Sequence, residues 1–513
     1  MAHCPRCAAD CDEPTTLYGC LPTNERADRE SEDRRVPVKP CVLGIDLGTS
    51  AIKLVAVSRE GRLLASAREP CATISPAPGQ AEQNCQHWLK ALRAAAERIR
   101  SRLRHAHIEG IALTGQMPTL VVLRRQKAVG PAITWQDSRA DGWVKKQVDA
   151  DLRLRIYRVT GVLIDGRYLA PMFRFHHASG RKSDKILSAK DFLFYALTGS
   201  TATDPSTASG YGLYNLQTKA WDAELCKFWS VDPEILPRIE SSSFRAPLSA
   251  EGCRLVGCPV GTPVVLGCAD SVAGVYAISG TDQLQKTATV LTGTSTVIMR
   301  CDRHPHWDRL NRYLLTPFAV DGWYGCEADL LAGGSAREWG ARVFLEPAEK
   351  KQLASVWQSI YRVTPGAEGL FFTPFLAGGE QGVLWNLHLR GTLTGLTLAH
   401  GQTQIMRALL EGMCFEIRRC LEVFEERGHL SFVRIAGWIA DIRPEVQLLA
   451  DVIGRPIHAF RLDSASAVGA ALLTGVIDVK AHFVNAKPTV FTPSNRSKSY
   501  DELYARYIDL LRP

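Results

Sequence analysis

Two short segments of this sequence carry the same turn, in each case between two strand-like apolar runs. Residues 44–57 read GIDLGTSAIKLVAV and residues 290–299 read VLTGTSTVIM. A glycine in such a turn lets the backbone approach a ligand, while nearby amide and hydroxyl groups can donate to phosphate oxygens. One copy is ordinary turn chemistry, but two copies in corresponding positions predict a pair of phosphate-binding turns.

An aspartate precedes the first turn at the end of its strand-like run. Asp46 lies two residues before Gly48, where a buried carboxylate is costly unless a cation or hydrogen bonds compensate it. A magnesium ion that bridges phosphates would do so, whereas the plainer interpretation is that Asp46 caps a loop. The sequence has no Gly-x4-Gly-Lys-Ser/Thr segment, which excludes a P-loop nucleotide site.

The elements around the first turn predict an α/β domain. The runs VLGID, AIKLVAVS and RLLASAR predict an antiparallel meander, with a tight turn at Gly61 between the last two strands. A helix is predicted over residues 87–103, followed by a strand at IEGIALTG and by alternating helix and strand patterns to about residue 280. Three strands followed by alternating helices and strands indicate a layered α/β structure.

The same order begins again after the polar link GTDQLQK. Two strands flank the second turn, and a long amphipathic helix is predicted over about residues 403–427. A strand at FVRIAG, a helix at EVQLLADVI and a final helix around SAVGAALLTG follow. The second half therefore repeats the order of elements of the first with little sequence similarity. We expect two similar domains whose turns face one cleft.

Length and composition fit two domains without a nucleic acid or membrane partner. The chain has 513 residues, which exceed one hydrophobic core, and its formal charge of +8 is scattered among acidic residues. It contains no stretch of about 20 apolar residues and no signal-peptide pattern, so a cytoplasmic protein is expected. Most of the 15 cysteines stand singly in apolar segments, which is typical of reduced thiols.

Residues 1–40 differ from the rest of the chain. Their run ERADRESEDRRVPVK balances acids and bases and has no apolar period, which predicts a mostly disordered extension. The extension contains four cysteines, namely Cys4, Cys7, Cys11 and Cys20. Four thiolates can bind zinc, but a zinc ribbon normally pairs two Cys-x2-Cys knuckles and only one is present, so metal binding is the lesser interpretation.

Seven segments in co-linear order resemble the FGGY carbohydrate kinases, and among them most closely the xylulokinases. They are GIDLGTSAIK, LTGQMPTLVVL, PAITWQDSRA, LSAKDFLFYALTG with TATDPSTASGYGLYNL, VVLGCADSVAGVYAISG, LTGTS and RIAGWIADIRPEVQLLADVIGRPI. The resemblance implies an α/β fold of two ribonuclease-H-like domains, of the actin, hexokinase and Hsp70 type, with a cleft between them. It implies a sugar-side domain at 41–282, a nucleotide-side domain at 283–480, and a C-terminal tail and helix at 481–513.

The same resemblance implies an ATP-dependent sugar kinase that uses Mg²⁺. Asp270 would be the general base for the sugar hydroxyl that attacks the γ-phosphate, and Asp46 and Asp270 would hold the metal. The nucleotide would be bound by Gly48, Thr49, Ser50, Lys53, Gly293, Thr294, Ser295, Gly334, Gly437 and Trp438. The sugar would be bound by Gln116, Met117, Pro118, Trp135, Asp137, Arg139, Asp270 and Ser271.

Several of these residues also have a purely structural interpretation. Asp270 precedes a helical run and can be its N-cap. Asp137 and Arg139 lie two residues apart and can satisfy one another. Packing or solvation would equally explain Lys53, Met117, Trp135 and Gly334.

Four positions depart from the family pattern. Pro118 stands where xylulokinases have a histidine that touches the ketose, and Ser271 stands where an asparagine follows the catalytic aspartate. Gln381 replaces the usual arginine after Glu380. Trp438 replaces the second glycine of the nucleotide loop, where an indole would collide with ATP unless it swings aside and stacks on the base.

The leading hypothesis is a kinase that phosphorylates a primary hydroxyl of a ketopentose or related polyol, with D-xylulose as the default small-molecule partner. The alternative is a catalytically weak relative that binds sugar or nucleotide as a sensor or scaffold, which Pro118, Ser271 and Trp438 favour. An actin-like filament protein or chaperone ATPase would share the two-domain core but not the segments GQMP and TWQDSRA. The oligomeric state is left open, with a homodimer as one option.

Overall fold

The computed structural model describes residues 39–103, 106–176, 183–345, 350–377, 382–386 and 388–511. Residues 1–38 of the predicted cysteine-bearing extension lie outside these described residues, as do Glu380 and Gln381, whereas Lys39 and Pro40 belong to the first strand.

The first half of the described chain runs from residue 39 to residue 286. Its strands are β1 (Lys39–Leu47), β2 (Ala51–Ser58), β3 (Leu63–Pro70), β4 (Glu82–Gln83), β5 (Ala106–Gly115), β6 (Thr119–Arg124), β7 (Lys127–Ala128), β8 (Ala132–Thr134), β9 (Lys185–Leu187), β10 (Ala202–Thr203), β11 (Tyr214–Asn215), β12 (Ala220–Trp221), β13 (Arg238–Ile239), β14 (Arg245–Pro247) and β15 (Pro263–Ala269). Its helices are α1 (Cys85–Arg102), α2 (Asp141–Gln147), α3 (Ala150–Thr160), α4 (Leu169–His176), α5 (Ala189–Thr198), α6 (Pro205–Ser209), α7 (Ala223–Trp229), α8 (Ala250–Val256) and α9 (Asp270–Ser279).

A six-stranded mixed sheet forms the centre of this half, in the order β14-β15-β5-β1-β2-β3. Strands β1, β2 and β3 form the predicted antiparallel meander, and β5 and β15 run parallel to β1 and β5, respectively. The helix predicted over 87–103 is confirmed as α1, which begins at Cys85 and buries Trp88 and Leu92. The side chains of β1 and β2 are almost all buried, as expected for strands covered on both faces.

A second apolar core is formed by the segment between β5 and α5 together with α7 and its neighbouring residues. Strands β4, β6, β7, β8 and β9 form a small sheet beside the main one. The surrounding helices bury Val144, Ile156, Met172 and Trp229 against it. This segment carries the loops expected on the sugar side, so its core positions them.

The second half runs from residue 287 to residue 511. Its strands are β16 (Thr287–Thr292), β17 (Thr296–Asp302), β18 (Leu314–Pro317), β19 (Tyr324–Leu330), β20 (Phe371–Thr373), β21 (Thr392–Thr394), β22 (Phe432–Gly437), β23 (Ile457–Ala459) and β24 (Thr489–Phe491). Its helices are α10 (Gly334–Phe344), α11 (Lys350–Arg362), α12 (Gln402–Glu425), α13 (Arg443–Ile453), α14 (Ala465–Leu472), α15 (Val479–Asn485) and α16 (Ser497–Leu510), and a 3₁₀ turn covers Trp438–Asp441.

The main sheets of the two halves share one strand order. The first contains β3-β2-β1-β5-β15, and the second contains β19-β17-β16-β22-β23 in the corresponding places. In each, the first three strands are antiparallel neighbours and the last two run parallel to the first. The predicted duplication is confirmed, and each half has the ribonuclease-H-like arrangement.

Helices α9 and α14 pack closely between the two sheets. Helix α9 follows β15, and α14 follows β23. The two helices pack against each other, α14 also packs against β1 and β5, and α9 also packs against β16. An added Cβ at Gly469 of α14 would overlap the carbonyl oxygen of Ala273 in α9, and one at Gly44 of β1 would overlap that of Ala467 in α14. These close approaches require residues without a side chain, and they fix β1 relative to the second half.

The C-terminal segment contains a helix within residues 481–513, where the resemblance implied a tail and helix. The predicted helix over about 403–427 is confirmed as α12, but the helix around SAVGAALLTG is not the final one, because α15 and α16 follow it. Helix α16 buries Tyr500, Tyr504 and Tyr507, whose hydroxyl groups donate to glutamates of α12. Aliphatic periodicity does not predict α16, because this helix is buried through tyrosines. Within the described ranges, no helix is both long and apolar enough to cross a bilayer.

Candidate active site

The first Gly-Thr-Ser turn closes the hairpin between β1 and β2. The amide of Gly48 donates to the carbonyl oxygen of Ala51 at 3.1 Å. Two side chains hold Thr49: the amide nitrogen of Gln83 donates to its carbonyl oxygen at 2.6 Å, and the indole of Trp135 donates to its hydroxyl at 3.0 Å. Ser50 is exposed, so the outer face of the turn is open to a ligand.

Three parallel strands end together beside this turn. In register, β1, β5 and β15 end at Leu47, Gly115 and Ala269. Gln116 and Asp270 therefore follow neighbouring strands at one edge of the sheet. Ligands of open α/β sheets bind at the carboxyl ends of the strands, so this edge is the expected position for a site.

Asp46 lies inside β1, which is not the position of a loop cap. Its side chain is buried, and its Oδ2 is 3.4 Å from Nζ of the half-exposed Lys53. Its Oδ1 is buried without a hydrogen-bond partner, a costly state that a bound cation would relieve. Among the described residues, no group of three or more His, Cys, Asp or Glu side chains is arranged to hold a metal. Asp46 thus fits a Mg²⁺ ion that takes its other ligands from phosphates and water.

Asp270 is the first residue of α9. The cap position belongs to Ala269, and Asp270 Oδ1 accepts a hydrogen bond from the amide of Ser271 at 2.9 Å, so Asp270 does not act as the N-cap. Burial is the main cause that raises the pKa of Asp270 to about 7, and the negative charge of Asp46 adds to this effect. The two carboxylates therefore lie close enough to interact, although they are far apart in sequence.

Glu327 of β19 brings a third carboxylate to the same cleft from the second half. It is buried, and its Oε2 accepts a hydrogen bond from the hydroxyl of Thr316 at 2.6 Å. Burial raises the pKa of Glu327, while hydrogen bonds from Thr316 and from the Ser271 side chain oppose this shift. Its charge also contributes to the raised pKa of Asp270. Sequence reasoning missed Glu327.

Gln116 is held beside the first turn by another residue that sequence reasoning missed. Its side-chain nitrogen donates to Oε1 of Gln83 at 2.8 Å, and Gln83 in turn reaches Thr49. The Oε1 of Gln116 is buried without a hydrogen-bond partner. This oxygen is available to accept a hydrogen bond from a ligand hydroxyl.

Asp137 and Arg139 form the ion pair that the sequence allowed beside their proposed contact with a sugar. Arg139 Nε is 3.0 Å and 2.9 Å from the two carboxylate oxygens of Asp137, and its NH2 group is 2.7 Å from Glu82. Asp137 also accepts a hydrogen bond from the amide of Ala81 at 2.9 Å. This pair therefore fixes the loop that carries Trp135.

Met117 and Pro118 follow Gln116 at the same edge of the sheet. Both are partly buried, and the peptide bond between them is cis. Met117 lies beside Gly210, where an added Cβ would be 3.4 Å from its methyl group. Pro118 offers no side-chain polar group and no amide hydrogen. The two residues therefore contribute apolar surface rather than hydrogen bonds.

The second Gly-Thr-Ser turn, between β16 and β17, is enclosed by the start of α10. The amide of Gly293 donates to the carbonyl oxygen of Ser295 at 2.8 Å. The amide of Gly334 donates to Gly293 at 3.0 Å, and that of Ser335 donates to Thr294 at 3.2 Å. An added Cβ at Gly334 would be 2.6 Å from the Gly293 oxygen, so this is a close approach of backbone and not a freely variable loop position.

Gly437 ends β22 directly beside the second turn. Its φ is +96°, a region that side chains disfavour, and an added Cβ would overlap the carbonyl oxygen of Thr292. The backbone of Gly437 therefore lies where no other residue fits without a shift of β16.

Replacing Gly437 with alanine is expected to destabilise the protein by roughly 1–3 kcal/mol from backbone strain, with a further loss from the overlap with Thr292. Gly130→Ala is the matched control, because Gly130 also has a positive φ of +76° but nothing within 4 Å of an added Cβ. Thermal unfolding of both variants measures the difference. Equal losses of thermal stability would show that the contact with Thr292 is unimportant.

Trp438 lies against the second turn. Its indole nitrogen donates to the carbonyl oxygen of Gly293 at 3.1 Å, and an added Cβ at Gly334 would be 2.7 Å from this nitrogen. The guanidinium of Arg337 is 5.4 Å from the ring centroid of Trp438 and 4.2 Å from that of Trp357. The indole is therefore held on the turn by a hydrogen bond and a cation–π contact.

The structure arranges the expected site residues in two groups. Asp46, Lys53, Gln116 and Asp270 gather at the first turn, whereas Gly334, Gly437 and Trp438 gather at the second. Glu327 links the groups, since it belongs to the second half and interacts with Ser271. The arrangement combines two Gly-Thr-Ser turns, a carboxylate suited to a metal and a carboxylate whose raised pKa suits a base.

Comparisons with known proteins identify the family. Residues 41–277 match the N-terminal domain of the FGGY family of carbohydrate kinases, and residues 288–477 match its C-terminal domain. The chain is 27% identical over 482 residues to a xylulose kinase of Lactococcus lactis, covering 90% of this chain and 95% of that protein. It is 26% identical over 496 residues to a gluconokinase of Bacillus licheniformis, covering 92% of this chain and 95% of that protein.

The fold is similar to that of a ligand-bound xylulose kinase from Lactobacillus acidophilus, with a TM-score of 0.84 and 23% identity over 92% of this chain and 97% of that one. The chain therefore belongs to the FGGY family of carbohydrate kinases, a family of ATP-dependent sugar kinases.

Proposed function

We propose that this protein transfers the γ-phosphate of ATP to a primary hydroxyl of a ketopentose or related polyol, with D-xylulose as the default acceptor. The observation that carries the proposal is Asp270, which follows β15 beside Gln116 and near Asp46. A carboxylate with a pKa of about 7 suits a general base, because it is partly ionised at neutral pH and still basic enough to take a proton.

Each group has a role in this proposal. Asp270 takes the proton of the attacking hydroxyl, and Gln116 accepts a hydrogen bond from the sugar. The two turns donate amide and hydroxyl groups to the phosphates, with Lys53 beside the first turn. Asp46 holds Mg²⁺, which supplies charge neutralisation on the phosphates. Glu327 orients Ser271 next to the base. Free sugars and ATP are both present in the cytoplasm, where the enzyme is expected to act.

The acceptor is the part of the proposal that needs a direct test, because relatives with two different acceptors match the chain to nearly the same degree. A coupled assay of ADP release against a panel of ketoses, polyols and sugar acids provides it. We expect saturable ADP release with a ketopentose above the rate with ATP alone. Absence of acceptor-dependent release across the panel would contradict the kinase function.

A second candidate function is a catalytically weak relative that senses sugar or nucleotide. The position of Trp438 favours it, because the indole donates its hydrogen bond to the second turn and lies where the nucleotide is expected. The retained Asp46 and Asp270 argue for the kinase, since a binding protein has no chemical need for a general base.

Replacing Trp438 with glycine is expected to lower the dissociation constant for ATP by about tenfold, because the nucleotide no longer has to displace an indole that is hydrogen-bonded to Gly293. Isothermal titration with Mg²⁺·ATP measures this change. Trp438→Phe is the matched control, since it keeps an aromatic ring but removes the donor. Unchanged affinity in the glycine variant would show that the indole does not obstruct the nucleotide.

A further inference from the structure

The strand that leads to Asp270 contains a bulge just before this residue. The register of β15 on β5 shifts between Val265 and Cys268, where β15 carries one extra residue. Gly267 lies within this bulge with a φ of +72°, and an added Cβ there would overlap the carbonyl oxygen of Leu113. A bulge bends its strand and re-aims the side chains that follow, so the direction of Asp270 depends on how the bulge is held.

A hydroxyl group of α6 holds the backbone next to the proposed base. The amide of Ala269, the residue directly before Asp270, donates to Oγ of Ser206 at 2.9 Å. Ser206 is fully buried, and its own hydroxyl donates to Oδ2 of Asp204. The backbone one residue before the base is therefore tied to Asp204 through a single side chain.

Asp204 belongs to a buried charged group with Lys190 and Asp191. The Nζ of Lys190 is 2.9 Å from Oδ1 of Asp191 and 3.2 Å from Oδ1 of Asp204, and all three side chains are fully buried. Burial lowers the pKa of Lys190, but the two carboxylates outweigh it and raise this pKa above its usual value, so the amine stays charged. The hydroxyl of Tyr211 donates to Oδ2 of Asp191 at 3.1 Å. A buried polar network that is paired in this way favours one arrangement of its surroundings.

The same lysine reaches the bulge itself. The Nζ of Lys190 donates to the carbonyl oxygen of Leu266 at 3.3 Å. Thr114 of the neighbouring β5 adds a third contact, because its hydroxyl donates to the carbonyl oxygen of Cys268 at 2.7 Å. Side chains of other elements therefore hold β15 at Leu266, Cys268 and Ala269, directly before the proposed base.

A contribution to stability does not explain why this group is charged. A buried ion pair is often no more stabilising than well-packed apolar side chains of similar volume. The neighbours of Lys190 in α5 include Phe192 and Leu193, which are buried and apolar. Charged and hydroxyl side chains provide directional hydrogen bonds to β15, which apolar side chains at the same positions would not provide.

We infer that Ser206 is a positioning residue for the reaction, because it holds the backbone in the arrangement that aims Asp270 at the acceptor hydroxyl. Asp204 in turn holds Ser206. Lys190 and Thr114 hold the bulge beside it. This inference rests on the proposed kinase function and adds residues that act on the base through the backbone. Displacing a catalytic group by about 1 Å can cost roughly a hundredfold in rate, because proton transfer requires hydrogen-bond contact with the attacking hydroxyl.

Replacing Ser206 with alanine is expected to lower kcat about thirtyfold while the sugar KM changes by less than about threefold, because the amide of Ala269 loses its acceptor. Ser209→Ala is the matched control. Ser209 is buried in the same helix, but its hydroxyl donates within that helix, to the carbonyl oxygen of Pro205 at 3.2 Å. Its kcat should stay within about twofold of the wild type. A wild-type kcat in Ser206→Ala would overturn the inference.

A double-mutant cycle tests whether Ser206 acts through the base. In the Asp270→Asn background, Ser206→Ala should lower the residual rate by less than about twofold, because the group that it positions is already lost. Single-turnover measurements at high enzyme concentration give these residual rates. A general loss of folded structure would lower the rate by the same factor in both backgrounds, and that result would overturn the inference.

The position of the Asp270 carboxylate gives a readout that does not depend on activity. Absence of acceptor-dependent ADP release by the wild type would contradict the kinase function, whereas crystal structures of the variants decide the positioning role. The carboxylate is expected to move by about 1 Å in Ser206→Ala and to keep its place in Ser209→Ala. An unmoved carboxylate in Ser206→Ala would overturn the inference and leave the kinase function intact.

Thr114→Val provides a second variant if Ser206→Ala does not fold. It removes the hydroxyl that donates to Cys268 and keeps a β-branched side chain of similar size. We expect kcat to fall about tenfold with the sugar KM nearly unchanged. A wild-type kcat in this variant would contradict the positioning of the base through β15.

Discussion

Replacing Asp270 with asparagine is expected to lower kcat for sugar-dependent ADP release by about a thousandfold, because an amide cannot take the proton of the attacking hydroxyl. The change is nearly isosteric, and the asparagine oxygen can still accept the hydrogen bond from the Ser271 amide. Thermal stability should therefore be kept or slightly raised, because the variant also removes a buried negative charge that repels Asp46. The sugar KM should change only a few-fold, since the loss concerns the transition state.

The assay compares initial rates of the wild type and the variant at saturating ATP and sugar. Asp151→Asn is the matched control, because Asp151 lies exposed in the first turn of α3 and has no place in the proposed chemistry. Equal rates for wild type and Asp270→Asn would remove Asp270 from the role of general base and leave the sensor function as the better account.

Replacing Asp46 with asparagine is expected to have opposite effects on activity and stability. Activity should fall by about a hundredfold or more and require a higher Mg²⁺ concentration, since the carboxylate proposed to hold the metal is lost. Stability without ligands should rise by about 1 kcal/mol. Asp46 has a buried oxygen without a partner and repels Asp270, while its pair with half-exposed Lys53 contributes little.

Thermal unfolding with and without Mg²⁺·ATP measures the second effect. The variant should have the higher melting temperature when no ligand is present, by about 1 °C, and the wild type should gain more from the ligand. Lys53→Met, which removes the cation but keeps Asp46, is expected to change stability in the opposite direction. A lower melting temperature for ligand-free Asp46→Asn would contradict the idea that Asp46 is held in an uncompensated state.

The repeated turns were predictable because each motif lies between two runs long enough to be buried strands. Both hairpins, the meander of the first half and helices α1 and α12 follow from this periodicity. The shared strand order of the halves follows from the recurrence of the same order of elements along the chain. Local pattern therefore carried most of the fold and the position of Asp46, whereas Asp270 was identified through the family resemblance.

Contacts between distant elements were not predictable from local pattern. Glu327 stands in the strand YGCEADL, where its carboxylate looks like that of a solvent-facing residue, and only the packing of the two halves brings it to Ser271. Gln83 directly precedes the N-cap of α1, yet it links Gln116 to the first turn. In both cases the partner is chosen by tertiary structure, which no short-range periodicity encodes.

The orientation of large or charged side chains was the other feature that the sequence did not predict. The sequence did not decide whether the Trp438 indole blocks the nucleotide or swings aside to stack on the base. The structure shows the indole hydrogen-bonded to Gly293. The sequence likewise did not decide whether Asp137 and Arg139 contact each other, and the structure shows them paired. Such choices depend on the partners within reach and therefore require coordinates.

The central claim is that Asp270 and both Gly-Thr-Ser turns act on one ATP molecule beside a bound sugar. A crystal structure of the Asp270→Asn variant with Mg²⁺, ATP and the best acceptor from the panel tests it most directly. The account predicts that the phosphates lie between the two turns, that Asp46 is bound to the metal directly or through water, and that the reacting hydroxyl lies within about 3 Å of residue 270. Phosphates bound away from either turn, or a reacting hydroxyl turned away from residue 270, would contradict it.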